Sequence, residues 1–249
     1  MPRRQKTIFG IPSNAFGQRF SGAIFAGILD CARYSLKGWN CAMQVLDIGC
    51  GKNKRLGAIG MDRIALTGVD VVHDLDVFPY PFADNTFDEI YATHVIEHVD
   101  SIVRAMEEIH RLAKPNGKVV VVTPHYSDFQ SWNDPTHKWH LTTYSFRYFR
   151  EDYESSYYSK ARFKTEKIHI DMARLWRALG FQHLINFSLQ HEALRSITKF
   201  WEGYLSFFVR AGAMTFVLRA IKECVGRDSA ACAPNPTRHL NAETSRPRD

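Results

Sequence analysis

The stretch Val45-Leu46-Asp47-Ile48-Gly49-Cys50-Gly51 decides how this chain is to be read. The run from Met43 to Ile48 is apolar enough for a buried strand, and two glycines follow it at once. A glycine turn after a buried strand is where open α/β sheets let the backbone approach a ligand, at the carboxyl ends of the strands. A dinucleotide fingerprint would need a third glycine and a long helix. Here Lys52-Asn53-Lys54 comes next, and the room for a helix ends within about ten residues. A phosphate loop ending in Gly-Lys-Ser/Thr is absent as well. What remains is Asp-x-Gly-x-Gly, a turn whose carboxylate orders the loop or meets a ligand ammonium group.

Working outward, short strands are expected at Ala58 to Met61 and Val69 to His73, then a loop Phe78-Pro79-Tyr80-Pro81-Phe82 and a strand from Phe87 to Thr93. A helix should start near Ser101, with Asp100 placed to cap it and Ile102, Met106, Ile109 and Leu112 on one face. Pro115-Asn116-Gly117 should stop it, and the valines of Val119 to Thr123 read as a strand buried on both faces. Alternation of strand, turn and helix implies a parallel sheet with right-handed crossovers. Further on come a polar, aromatic loop from Pro124 to Tyr144 and a strand from Ala161 to Ile170. Helices are expected around Met172 to Leu179 and Ala193 to Phe208, with a last strand from Met214 to Ile221. Phe16, Phe20, Ile24 and Ile28 recur every four positions, so residues 1–40 read as a helical segment laid over the domain or its active-site mouth. The tail 226–249 has no hydrophobic period and is expected to be disordered.

With these residues in place the chain resembles the class I S-adenosylmethionine-dependent methyltransferases, particularly their type 11 branch. The resemblance rests on Val45 to Gly51, Phe82-Ala83-Asp84-Asn85-Thr86-Phe87-Asp88, Ile96-Glu97-His98, Glu108-Ile109-His110-Arg111-Leu112 and Lys114-Pro115-Asn116-Gly117-Lys118. It implies a single Rossmann-like α/β domain over residues 41–225, with a seven-stranded sheet, parallel but for its last strand, and helices on both faces. Residues 41–125 would be the cofactor half and 126–225 the acceptor half. It also implies S-adenosyl-L-methionine as cofactor, with Asp47, Gly49, Cys50 and Gly51 beside its methionine part. An acidic residue after the second strand would hold the ribose hydroxyls. Asp62 and Asp70 both suit that role, and Asp62 is preferred because Asp70 leaves only four residues to Asp74, too few for a parallel crossover. Asp74 and Leu75 would meet the adenine, by carboxylate and by apolar contact.

Methyl transfer from a sulfonium asks the protein to align a nucleophile and, for a hydroxyl, to remove its proton. His is suited to that near neutral pH, and six of the chain's eleven histidines fall between His94 and His140. His94, ending the fourth strand, is the first candidate for base. Glu97-His98 reads as structural or cofactor-side packing. In Asn133 to His140, Asp134 could pair with His137 to set its tautomer, making both catalytic candidates. The same loop's His137, His140 and Asp134 form a usable metal-ligand set, but their spacing fits no tight zinc template, and no metal is expected.

Composition excludes other classes. Lys+Arg 32 against Asp+Glu 26 gives a net charge of +6. Residues 7–125 carry 11 basic and 13 acidic side chains and residues 126–226 carry 14 and 10, so an acidic cofactor half faces a basic acceptor half. No basic run marks a nucleic-acid tail, and Thr93-His94-Val95-Ile96 stands where base-amine enzymes of this kind would carry an Asn/Asp-Pro-Pro-Tyr motif. Five cysteines without a Cys-x-x-Cys suggest reduced thiols in the cytoplasm. No segment approaches the ~20 apolar residues of a membrane span. The expectation is O-methylation of a small or glycan-type acceptor, with negative charge favoured and oligomeric state open. Nucleic-acid or protein methylation, or a catalytically silent binding protein of the same fold, stand as the alternatives.

Overall fold

The computed structural model describes residues 43–222. The expected N-terminal helical segment and the expected disordered tail lie outside the described residues.

Seven strands form one sheet: β1 (Val45–Ile48), β2 (Ile59–Asp62), β3 (Val71–Val72), β4 (Phe87–Thr93), β5 (Ala113–Pro124), β6 (Phe163–Met172) and β7 (Ala211–Ala220). Their order is β3-β2-β1-β4-β5-β7-β6. Pairing is parallel from β3 to β5, while β7 runs antiparallel to both β5 and β6. The expected architecture is therefore present, and the strand order switches sides between the parallel neighbours β1 and β4. That places the carboxyl ends of β1, β2 and β4 side by side around a switch point, the usual ligand crevice of such sheets.

The core accounts for the strand assignments. Leu46, Ile48, Met61, Ile90, Ala92, Val119 and Val121 are all buried. Residues 49–58 join β1 to β2 without a helix, as the short interval after Gly51 requires. The first described helix, α1 (Ile102–Leu112), buries Ala105, Met106, Ile109 and Leu112. Its cap is Ser101, whose Oγ accepts from the Arg104 N–H at 3.3 Å. Asp100, expected to cap it, is held instead by Lys138 Nζ at 2.5 Å. The helix also stops before Pro115-Asn116-Gly117, because Ala113 is already extended (φ −65°, ψ 141°). The sheet register then moves from Phe87 opposite Ala113 to Glu89 opposite Lys118, so residues 114–117 form an excursion within β5.

Several signature residues turn out to be scaffolding. Arg111 donates through Nη1 to the Phe82 carbonyl and Asp84, and through Nη2 to the Tyr80 carbonyl and Glu108, at 2.7–3.0 Å. Glu108 in turn accepts the Tyr80 N–H at 2.8 Å. One guanidinium with its carboxylates thus ties the loop before β4 onto α1, which explains the Phe-x-Asp and Glu-x-x-Arg spacings in physical terms.

Past β5 come the short helix α2 (Phe129–Asn133), then α3 (Arg174–Ala178), α4 (Phe181–Gln190) and α5 (Arg195–Phe200). The helix α4 was not anticipated from sequence. Its Gln182 and Asn186 are buried polar residues one turn apart that interrupt the apolar stripe. They face β6, an edge strand: Asn186 accepts from the Ile170 N–H and donates to its carbonyl at 2.8 and 2.9 Å, and Gln182 accepts from the Met172 N–H at 2.9 Å. The side chains that hid the helix are those that satisfy the open edge.

Candidate active site

The glycine turn is held by backbone geometry that side chains resist. Gly49 and Gly51 have φ of 64° and 52°, in the left-handed region where a Cβ is strained. The Gly49 N–H donates to the Met61 carbonyl at 2.7 Å, fixing the turn against β2. A Cβ on Gly49 would lie 2.2 Å from Val95 Cγ2. Asp47 is buried and its Oδ2 accepts from the Arg55 N–H at 2.8 Å, so of the two roles open to this carboxylate it takes that of ordering the loop. Burial, followed by the nearby Asp47 and Asp62 charges, pushes the Cys50 thiol above its ordinary value.

Asp62 and Asp70 have different surroundings. Asp62 Oδ2 accepts from the Gly51 N–H at 2.9 Å and Oδ1 from the Ile64 N–H at 3.0 Å. Asp70 is committed to the Gly60 N–H at 2.7 Å and to Lys54 Nζ at 2.8 Å. A cavity of about 550 Å³ opens at the carboxyl ends of the strands, and its walls include Gly49, Asp62, Asp74, Leu75 and His94, but not Asp70. Asp47, Cys50 and Gly51 are not among its lining residues. Asp74 Oδ1 caps a turn by accepting from the Asp76 N–H at 3.0 Å.

His94 also lines the cavity. It ends β4 with φ 54°, a left-handed conformation uncommon for a side chain larger than Asn and typical of functional turns. Its backbone N–H donates to the Val122 carbonyl at 2.8 Å. The imidazole is 49% exposed, and its Nδ1 lies 3.2 Å from Oε1 of the fully buried Glu97. A carboxylate accepts, so Nδ1 carries the proton and Nε2 keeps a lone pair. The Glu97 hydrogen bond raises the His94 pKa, outweighing the opposing effect of burial.

A carboxylate–imidazole pair was expected at Asp134 and His137, and the structure places it elsewhere. Asp134 Oδ1 is taken by the Thr136 N–H and hydroxyl at 2.8 and 2.6 Å; these hydrogen bonds lower the Asp134 pKa. Its Oδ2 is 3.9 Å from His137 Nε2, beyond hydrogen-bond reach. The His137 Nδ1 instead meets the Ser131 carbonyl at 3.0 Å. His140 turns away to the Ser131 hydroxyl and stacks on Trp132, so His137, His140 and Asp134 do not assemble as a ligand set. Glu97 is the residue that sequence reasoning assigned to packing; its place three positions after His94 was the available signal. His125 is fully buried between Ser127 Oγ at 2.7 Å and Glu202 Oε1 at 3.1 Å, a structural role.

The loop carrying Pro135, Thr136 and Lys138 forms the cavity's remaining wall. It is fastened to the turn after β4: the Lys138 and Trp139 N–H groups donate to the Glu97 carbonyl at 2.8 and 3.2 Å, and the Trp139 indole donates to the Val99 carbonyl at 2.8 Å.

Comparison with known proteins agrees with this arrangement. The profile of a family described as "Methyltransferase domain" matches residues 18–184. Cycloartenol-C-24-methyltransferase 1 of Oryza sativa subsp. japonica is 31% identical over 123 residues, covering 39% of this chain and 35% of that protein. The ubiquinone/menaquinone biosynthesis C-methyltransferase of Cereibacter sphaeroides is 28% identical over 131 residues, covering 49% of this chain and 50% of that protein. The chain thus spans half or less of the length of these two relatives. A solved SAM-dependent methyltransferase from Archaeoglobus fulgidus superposes with a TM-score of 0.49 at 17% identity, covering 79% of this chain and 93% of that one. The family profile extends over more than half of the chain, and the chain belongs to the class I S-adenosylmethionine-dependent methyltransferases.

Proposed function

We propose that this protein transfers a methyl group from S-adenosylmethionine to a small organic acceptor, with His94 as the proton acceptor. The observation that carries this reading is that one cavity is lined by Asp62, Asp74 and Leu75 together with the Glu97-oriented imidazole of His94. When bound, the cofactor supplies an electrophilic methyl on a sulfonium. Gly49, packed without a Cβ against Val95, would keep the turn in place beside its methionine part. Asp62 would hold the ribose hydroxyls, and Asp74 with Leu75 would receive the adenine. His94 Nε2 would take the proton of an acceptor hydroxyl held in the cavity, readying that oxygen for the methyl group that the cofactor would supply. Glu97 stabilises the imidazolium so formed.

An oxygen acceptor is the first reading because a positioned base matters most for a hydroxyl. A carbon acceptor made nucleophilic by deprotonating a neighbouring hydroxyl is the second, and the two relatives named as C-methyltransferases favour it. Both place the acceptor among small molecules. The basic acceptor half gives limited support for a negatively charged acceptor, since Arg150 is paired with Asp152 and Arg162 donates to backbone carbonyls. Among the described residues no helix is long and apolar enough to cross a membrane, and the proposed setting is the cytoplasm, on the cysteine usage. The test is a screen of hydroxyl-bearing small molecules with methyl-labelled cofactor, followed by locating the label in the product. Label on oxygen supports the first reading, label on carbon the second, and no transfer to any small acceptor contradicts both.

A further inference from the structure

Beside the cavity lies a second group of side chains whose candidate ligand atoms come close together. Glu97, His98 and His137 each offer one ligand atom, and these atoms lie within 4.8 Å of one another. Glu97 has no exposed surface, its Oε1 is used by His94, and its Oε2 has no hydrogen-bond partner. A buried carboxylate oxygen without a donor is costly unless a cation completes it.

The two imidazoles are held in the matching tautomer. The Thr136 hydroxyl donates its proton to Asp134, so towards His98 Nδ1, 2.9 Å away, it can only accept. His98 Nδ1 is therefore the protonated nitrogen, with the Thr136 carbonyl at 3.3 Å as a further acceptor. His137 Nδ1 faces the Ser131 carbonyl at 3.0 Å, which also only accepts. Both rings thus keep the Nε2 lone pair, and Asp134 Oδ2, 3.9 Å from His137 Nε2, is too far to hydrogen-bond it. An imidazole that donates one N–H to a carbonyl or hydroxyl oxygen while its other nitrogen stays free is the usual outer arrangement of a metal-ligating histidine. Their rings meet edge to face with centroids 4.6 Å apart, and the backbone bonds from Lys138 and Trp139 to the Glu97 carbonyl fasten the His137 loop beside Glu97.

We infer that Glu97, His98 and His137 form a binding site for one divalent transition metal ion of the zinc class. Two neutral imidazoles and one carboxylate suit such an ion and leave a coordination position for water or another oxygen ligand. His98 and Thr136 also line the cavity, which gives the ion a route in. The inference departs from the sequence-based expectation of no metal. It does not depend on the proposed methyl transfer, since ion binding is read by itself.

The experiment is titration of the metal-stripped full chain with Co²⁺, followed by visible absorption, alongside Glu97→Gln, His137→Ala and Thr136→Ala. The expected result is saturation at one equivalent with the absorption of a low-coordinate Co²⁺ site. Affinity should fall at least about tenfold in Thr136→Ala, which keeps all three ligands but removes the nearer acceptor of His98 Nδ1, and further in the two ligand variants. Thermal melts report whether each variant is folded, and Thr136→Ala carries the comparison if a ligand variant is not. Absence of saturable binding would overturn the inference. So would binding of undiminished strength in the folded variants, which would place the ion on other side chains such as the cysteines.

Discussion

Gly49 has no room for a methyl group: a Cβ there meets Val95 Cγ2 at 2.2 Å and φ is +64°. Gly49→Ala should therefore lower stability by about 1–3 kcal/mol, read as a shift in denaturation midpoint, and should weaken cofactor binding because the turn is displaced. Unchanged midpoint and affinity would mean that Val95 yields freely. At His94 the structure supplies what the sequence lacked, a partner. His94→Ala should reduce kcat by about 10²–10⁴ while leaving cofactor affinity within a few-fold, once an acceptor is in hand; full turnover in that variant would remove the imidazole from the mechanism. Legibility at this scale was uneven. The glycines were readable because few residue types tolerate their backbone. Asp134 and His137 stand near each other at 3.9 Å without a hydrogen bond, because the loop turns the carboxylate onto Thr136, and local hydrogen bonding of that kind competes with a longer-range one.

Among the elements, β4 was read with its observed boundaries, Phe87–Thr93, since it sits in the centre of the sheet and its composition answers mainly to burial. The ends of the sheet were harder. The helix α4 exists to cover the edge of β6, and it does so with amide side chains rather than an apolar stripe. Asn186→Ala leaves both the N–H and the carbonyl of Ile170 without their present partner in a buried setting. It should cost about 1–3 kcal/mol in chemical denaturation. A loss below a few tenths would show that water satisfies this edge equally well. The cap of α1 gives a smaller lesson of the same kind: Asp100 and Ser101 are both good caps, and the choice of Ser101 follows from the demand of Lys138 for a carboxylate.

For the molecule as a whole, the sequence contained the sheet because a parallel α/β fold writes each buried strand as a local apolar run followed by a turn. It contained the Asp62 and Asp74 lining of the cavity for the same reason, each carboxylate standing at or just past a strand end. The grouping of Glu97, Thr136 and His137 was not legible, because they meet only through the docking of a loop that follows β5 onto a turn that precedes α1. The central claim is that the strand-end cavity holds S-adenosylmethionine, and calorimetry with S-adenosylmethionine and S-adenosylhomocysteine on the full chain tests it most directly. The account predicts one equivalent of each bound, with affinity reduced at least about tenfold in Asp62→Ala through loss of a charged hydrogen-bond partner. No measurable binding of either ligand to the folded protein would contradict it.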